Sequence, residues 1–464
     1  MPSELLLSIG ENLSIKDIYH FLSTCRKLAS LLNPLLNKLG LQDEGKQPAL
    51  QWAVDRGHAP LARLAILSIA QKEMPNDEAS QSMSPLHLAA QRHSPAIVRF
   101  LLTHGDATDA RDKYSRTPLH LAARNWMSPE ISRILITYSA AIDARDEEGR
   151  TPLHMASYTG NQDTVQLLVE QGAAIDAEDM DSQTPLHLAA RGNKSDIIHF
   201  LVAHGARIYA SDNNSRTPLH QAARWGSLDV ILALVADGAS INAGDKDSVT
   251  PLHLAAQRRP SDIICALVGH GATIDARGKH SMTPLHLACD SPVEEAIHTL
   301  TEYGAPVDAR DEMSRTPLHL AAKHPNSVGI SILLAHGATI DARDKDSHTP
   351  LHVAAMFNHQ DTIHTLVTHG ATIDARNSFF LTPLHIAAFL KHHDTICTLV
   401  ALGATLDVED ERSRTTLDLT ARCIYQDAIH TAIAHGFIPG VEGDVDDRIL
   451  LHLLSSCLLY SFIY

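Results

Sequence analysis

Apolar residues in the middle of the chain return as pairs of short, helix-spaced runs divided by polar turns, and the stretch from Thr217 to Gly238 shows the unit. Thr217 suits an N-cap and Pro218 the first helical position, so a helix is predicted to start there. Leu219, Ala222 and Ala223 give that helix one narrow apolar face of small side chains. A turn is expected over Trp225 to Leu228. Asp229 is then expected to open a second helix, in which Val230, Ile231, Leu234 and Val235 recur at i, i+1, i+4 and i+5. Gly238 is its expected C-cap, as are Gly105, Gly172, Gly205, Gly271, Gly304, Gly337, Gly370 and Gly403 elsewhere. Stretches between units, such as Asp341 to Ser347, are polar and turn-like.

The unit repeats. Ser84-Pro85-Leu86-His87 is followed by Thr-Pro-Leu-His ending at His120, His154, His187, His220, His253, His286, His319, His352 and His385, spaced 33 residues apart except for one interval of 34. The longer interval carries its extra residue between Arg124 and Glu130. Worn copies at Ala49 to Ala53 and Thr415 to Asp418 bring the total to about twelve. One helix pair cannot bury both its apolar faces, so an all-α solenoid of stacked pairs is expected.

The motif and its period resemble the ankyrin repeat, over about 390 residues from Gln47 to Gly436. The resemblance implies helix pairs joined by β-turn fingers, a motif Thr and His that hydrogen-bond the turns and tie copies together, and a concave surface that binds protein partners. Where the family usually places Gly two residues before the Thr, only Gly149 conforms. Ser82, Ser115, Ser182, Ser215, Ser248, Ser281, Ser314, Ser347 and Ser413 stand in nine copies and Phe380 in one. Either these turns take another conformation or they are strained, because positive φ costs a non-Gly residue free energy.

The ends differ from the array. Residues 1–40 open Met1-Pro2-Ser3-Glu4 and continue with Leu5, Ile9, Leu13, Ile18, Leu22, Leu28 and Leu31 at helical steps. That order resembles an F-box, which implies a Skp1-type adaptor contacted by Leu5, Leu13, Ile18 and Leu22. A plain helical cap on the array is the alternative. Residues 41–79 are expected to form a divergent capping repeat, 80–436 the array, and 437–464 a tail. Ile449 to Tyr464 is rich in Leu and has no formal charge, but it falls short of the roughly 20 apolar residues of a spanning helix. A docked helix or unstructured tail is expected, with a membrane tail anchor as the alternative.

Composition narrows the function. With Lys+Arg 38 against Asp+Glu 54, the formal net charge is −16, which argues against a general nucleic-acid binder. Six scattered cysteines without a C-x-x-C pair suggest neither a disulfide framework nor a zinc ribbon, and a cytoplasmic or nuclear setting is expected. Ten of the 30 histidines belong to the repeated motif. Equivalent residues of neighbouring copies lie roughly 8–10 Å apart, whereas zinc ligands sit about 2 Å from a common ion, so the column shares no metal. Histidines before the capping Gly (His104, His204, His270, His336, His369, His435) suit a helix C-terminus as partly cationic rings. His392 and His393 are expected to be solvated. No phosphate loop, G-x-S-x-G or H-E-x-x-H occurs. An enzyme is not expected, nor any cofactor.

What remains is surface. The family binds partners through turn tips and through the two residues after the Ala-Ala of each first helix. Carried over, that rule selects Arg124, Tyr158, Arg191, Arg224, Trp225, Met356, Phe357, Phe389 and Leu390. The fingers add Phe379 and Phe380, and tip residues Arg116, Arg150, Arg216, Arg315 and His348 precede the motif Thr. Two features follow: an arginine-rich middle suited to an acidic peptide, and an apolar cluster from Met356 to Leu390. In the alternatives, the arginines pair with neighbouring Asp residues, and Phe379 to Leu381 pack between turns.

Overall fold

The computed structural model describes residues 83–408, apart from 92–93, 125–128, 259–260, 326 and 407. The F-box-like segment, the capping copy at 41–79, the copy at Thr415, His435 and the tail lie outside the described residues. The chain divides into two compact units, Met1–Asn213 and Asn214–Tyr464. The first runs α1 (Pro85–Gln91), α2 (Pro95–Thr103), α3 (Pro118–Ala123), α4 (Glu130–Thr137), α5 (Pro152–Thr159), α6 (Gln162–Glu170), α7 (Pro185–Arg191) and α8 (Ser195–Ala203). In the second come α9 (Pro218–Trp225), α10 (Leu228–Ala236), α11 (Pro251–Ala256), α12 (Ser261–Gly269), α13 (Pro284–Asp290) and α14 (Glu294–Glu302). They are followed by α15 (Pro317–Ala321), α16 (Ser327–Ala335), α17 (Pro350–Met356), α18 (Gln360–Thr368), α19 (Pro383–Leu390) and α20 (His393–Ala401).

The architecture is all-α among the described residues, as ten helix pairs. Within each unit, first helices pack on first helices, α1–α3–α5–α7 and α9–α11–α13–α15–α17–α19. The motif leucine is fully buried in every described copy, from Leu86 to Leu384, and the small Ala residues beneath it let the helices approach closely. Ile197, Ile198 and Leu201, or Val230, Ile231 and Leu234, fill the second-helix side. The second helix of the Thr217 copy opens at Leu228, one residue before the expected Asp229, because Ser227 takes the extended N-cap conformation. The capping glycines all have positive φ, and Ser139, at φ 63°, stands in their place after α4.

The motif histidine works in two directions. Its Nδ1 accepts the N–H of the motif Thr at 3.1–3.2 Å, a capping box with His where Glu or Gln usually stands. Nδ1 is therefore unprotonated, and Nε2–H donates to a backbone carbonyl of the next copy. His87, His120 and His154 reach Arg116, Arg150 and Gln183 at 2.8–3.0 Å. His220, His253, His286, His319 and His352 reach Val249, Met282, Arg315, His348 and Leu381 at 2.9–3.1 Å. Burial pushes His154 and His352 down to about 4 and also lowers His87, His120, His253, His286 and His319, against the opposing pull of the carbonyl bonds.

Two further sets of bonds fix the fingers. A buried Asp organises several of the turns: Asp112 Oδ1 accepts the N–H groups of Tyr114 and Arg116, Asp146 and Asp311 repeat this, and Asn377 does the same in the Phe380 turn. The Arg of Asp-Ala-Arg-Asp then braces copy to copy, as when Arg277, Arg310 and Arg343 donate to the carbonyls of Arg310, Arg343 and Arg376 at 2.6–2.7 Å. In these turns Ser115, Ser182, Ser215, Ser248, Ser281, Ser314, Ser347 and Phe380 all adopt φ of 56–60°. The left-handed geometry that Gly149 adopts at φ 75° is thus retained, and the strain is accepted.

Two outcomes follow for stability. Because the buried histidines titrate lower folded than unfolded, their contribution is present above pH 6.5 and is lost as the pH falls towards 4. For His154 and His352 this loss approaches about 3 kcal/mol each. Urea midpoints should fall steeply between pH 7 and pH 5, and a flat profile would contradict the neutral bridging tautomer. Ser347→Gly should raise the unfolding free energy by about 0.5–1 kcal/mol and the urea midpoint with it, since relief of the left-handed strain outweighs the added unfolded-state entropy. Phe380→Gly should raise it further, and an unchanged midpoint in both variants would refute strain at the fingertips.

Candidate protein-binding surface

The residues after each Ala-Ala sit where the first helix ends, and that location sets their exposure. Arg124 is the C-cap of α3, Tyr158 lies in the last turn of α5, Arg191 ends α7, and Arg224 and Trp225 end α9. Met356 and Phe357 close α17, and Phe389 and Leu390 close α19. Tyr158, Trp225, Phe357, Phe389 and Leu390 are 43–47% exposed, Arg124 and Arg191 are exposed, and Arg224 and Met356 are half-buried. Large apolar side chains therefore remain in solvent although stacking is satisfied without them.

The expected apolar cluster separates into two places. Phe379 and Phe380, each 52% exposed, lie on the finger before α19, whereas Phe389 and Leu390 lie at its far end, about 10 Å of helical rise away. About half of each phenylalanine ring is thus open to solvent on the finger. Leu381 is half-buried, and its carbonyl takes the His352 bond. Phe357 and Leu390 occupy equivalent positions on α17 and α19, which pack together. The Phe357 ring also lies parallel to that of His359 at 6.4 Å.

The arginines also sort by position. Tip residues Arg116, Arg150 and Arg315 pair with the buried Asp112, Asp146 and Asp311 of their own turns at 2.7–3.0 Å, and Arg216 pairs with Asp245 at 3.1 Å. Arg124 and Arg191 have no ion-pair partner among the described residues. Arg224 and Arg258 lie over the Trp225 ring at 5.0 and 5.9 Å.

One concavity adjoins these residues and another lies apart from them. One, of about 250 Å³ in the first unit, is lined by Arg116, Arg124, Arg150, Tyr158, Leu121 and Met155, among others. It joins two expected site residues, Arg124 and Tyr158, to two tip arginines. The wider one, of about 510 Å³ in the second unit, is bordered by Asp275 and Pro306. Elsewhere the Asp at this register accepts an N–H of the next copy, as Asp308 does from Thr339. Pro306 has no N–H to offer Asp275.

The other histidines have local tasks. Nδ1 of His104, His204, His270, His336 and His369 donates to the carbonyl four residues earlier at 2.7–2.9 Å, so the rings satisfy helix ends. His392, expected in solvent, donates from Nδ1 to the Ala355 carbonyl at 3.1 Å and so links neighbouring copies. Among the described residues no three His, Cys, Asp or Glu side chains converge as a metal site requires. Nor is any described helix long and apolar enough to cross a membrane.

A family model described as ankyrin repeats (three copies) matches residues 20–112, 95–179, 175–245, 241–311, 295–377 and 329–410. Its first match begins inside the segment 1–40 that resembles an F-box. The matches together span most of the chain, and the stacked pairs with their capping histidines agree with them: the chain belongs to the ankyrin-repeat family.

Proposed function

We propose that this chain is a non-catalytic scaffold that holds a protein partner on its first-helix ends and fingertips. The observation that carries this is the exposure of Tyr158, Trp225, Phe357, Phe379, Phe380, Phe389 and Leu390 in copies whose cores are filled by other residues. Rigid aromatic area offered to solvent on a braced framework is what binding hot spots are made of. Trp225, with the guanidinium groups of Arg224 and Arg258 over its ring, adds a second kind of anchor, since Trp and Arg dominate such sites. The lack of a catalytic sequence signature supports a binding role, and the scattered cysteines support a cytoplasmic or nuclear setting.

A narrower reading makes the protein a substrate receptor of a ubiquitin ligase, with residues 1–40 on a Skp1-type adaptor and the array on the target. Its support is the opening Met1-Pro2-Ser3-Glu4 and the helical spacing of Leu5, Leu13, Ile18 and Leu22. A membrane-tethered scaffold rests only on the uncharged run Ile449 to Tyr464.

The doubly substituted Phe357→Ala/Phe389→Ala chain should unfold within about 0.5 kcal/mol of the original, as surface changes do. Affinity purification followed by mass spectrometry should show it losing proteins that the unaltered chain retains. Undiminished capture, or a large loss of stability, would remove these residues from the binding surface. The receptor reading expects a Skp1-type adaptor among the retained proteins and its loss on Leu13→Asp or Ile18→Asp; absence of the adaptor from the unaltered chain's capture would end that reading.

A further inference from the structure

We propose that the pocket between the ends of α3 and α5 seats the carboxylate side chain of an acidic segment in a protein partner. This rests on the scaffold reading and names the chemistry that one part of its surface selects. The pocket holds about 250 Å³, below the roughly 300 Å³ at which sites for drug-sized ligands begin, so its capacity suits one side chain of a larger partner.

Its walls are rich in donors. Arg116 is locked in a fork against Asp112, with Nε at 2.8 Å and Nη2 at 2.7 Å from the same carboxylate oxygen, and that carboxylate is wholly buried. Arg150 is held likewise by Asp146 at 3.0–3.1 Å, and its Nη2 also reaches Glu148 at 2.6 Å. Among the described residues these carboxylates engage Nε and Nη2 of each guanidinium and neither Nη1 makes a further hydrogen bond, so both keep N–H donors for a ligand. Arg124, without an ion-pair partner among the described residues, and the half-exposed Tyr158 complete the rim.

The charge balance decides which anion fits. Asp112, Asp146 and Glu148 exceed Arg116 and Arg150 by one charge and Arg124 brings these groups to balance, so the pocket has no surplus of positive charge for a dianionic phosphate. A planar monoanion is matched by the direction of the guanidinium donors, together with Arg124, which has no ion-pair partner among the described residues. Leu121 and Met155 supply apolar surface for the stem of a glutamate or for an apolar neighbour. Holding two of the three arginines in place beforehand also reduces the side-chain entropy lost on binding.

Fluorescence anisotropy of the full chain tests this with a labelled peptide of alternating glutamate and leucine, its glutamine counterpart, and a version carrying phosphoserine for glutamate. The glutamate peptide should bind, weaken with salt, and exceed the glutamine peptide by at least about tenfold. Arg124→Ala and Tyr158→Ala should each weaken it several-fold to about tenfold with unchanged melting. Arg191→Ala, two copies further along the same register and outside the pocket, should leave it within about twofold. Equal binding of the glutamine peptide, equal loss on Arg191→Ala, no loss on Arg124→Ala, or tighter binding of the phosphoserine peptide would each overturn the proposal. If the peptide fails while Phe357→Ala/Phe389→Ala still abolishes partner capture, only the acidic chemistry falls and the scaffold stands.

Discussion

In eight of the described copies the motif histidine presents a donor, and the first helix an apolar face, that the next copy completes. The imidazole that closes its own helix start through Nδ1 has its Nε2–H aimed at a carbonyl 29 or 30 residues further on. The leucine and alanines beside it are covered by the next first helix. Because one neighbour answers both needs, a slip in stacking would strand a buried N–H, at about 1–3 kcal/mol, as well as exposing apolar surface. Directional bonds thus give the array a register that hydrophobic burial alone leaves undefined.

The fingers follow the same logic with charged groups. A buried Asp ties the turn to itself, an Arg ties it to the next finger, and an Asp at the finger's base accepts a further N–H, as Asp109 does from Ala141. So many bonds converge on each turn that Ser, and in one copy Phe, is held where Gly would be relaxed. Strain of this kind persists only where the surroundings over-determine the backbone. Phe380 shows what the arrangement permits: a bulky ring presented to solvent on a turn that does not collapse around it.

Fixing so many arginines in structural tasks shapes the electrostatics. On a chain of net charge −16, the tip arginines and those of Asp-Ala-Arg-Asp are engaged by turn carboxylates and backbone carbonyls. Among the first-helix ends, Arg124 and Arg191 carry positive charge without an ion-pair partner among the described residues. The expectation of an arginine-rich face therefore becomes a smaller set of positions, and the pocket beside Tyr158 owes its character to which arginines are left over.

Much of this was legible in the sequence, because each copy solves one local problem. Helix starts follow from Thr-Pro, stops from Gly, and stacking from apolar faces too narrow to be buried by one pair. The first-helix ends were selected by the binding rule that the family resemblance implies. The state of the serine fingertips was left open, since Ser tolerates either outcome and the decision lay with hydrogen bonds from Asp and Arg across the turn. What tertiary structure alone decided was which groups meet: Arg124 with Tyr158, Trp225 with Arg258, and Phe389 apart from Phe380. Such meetings join copies about 33 residues apart or lie along a helix's length, and they depend on side-chain direction and neighbours, which a pattern read along one chain does not contain.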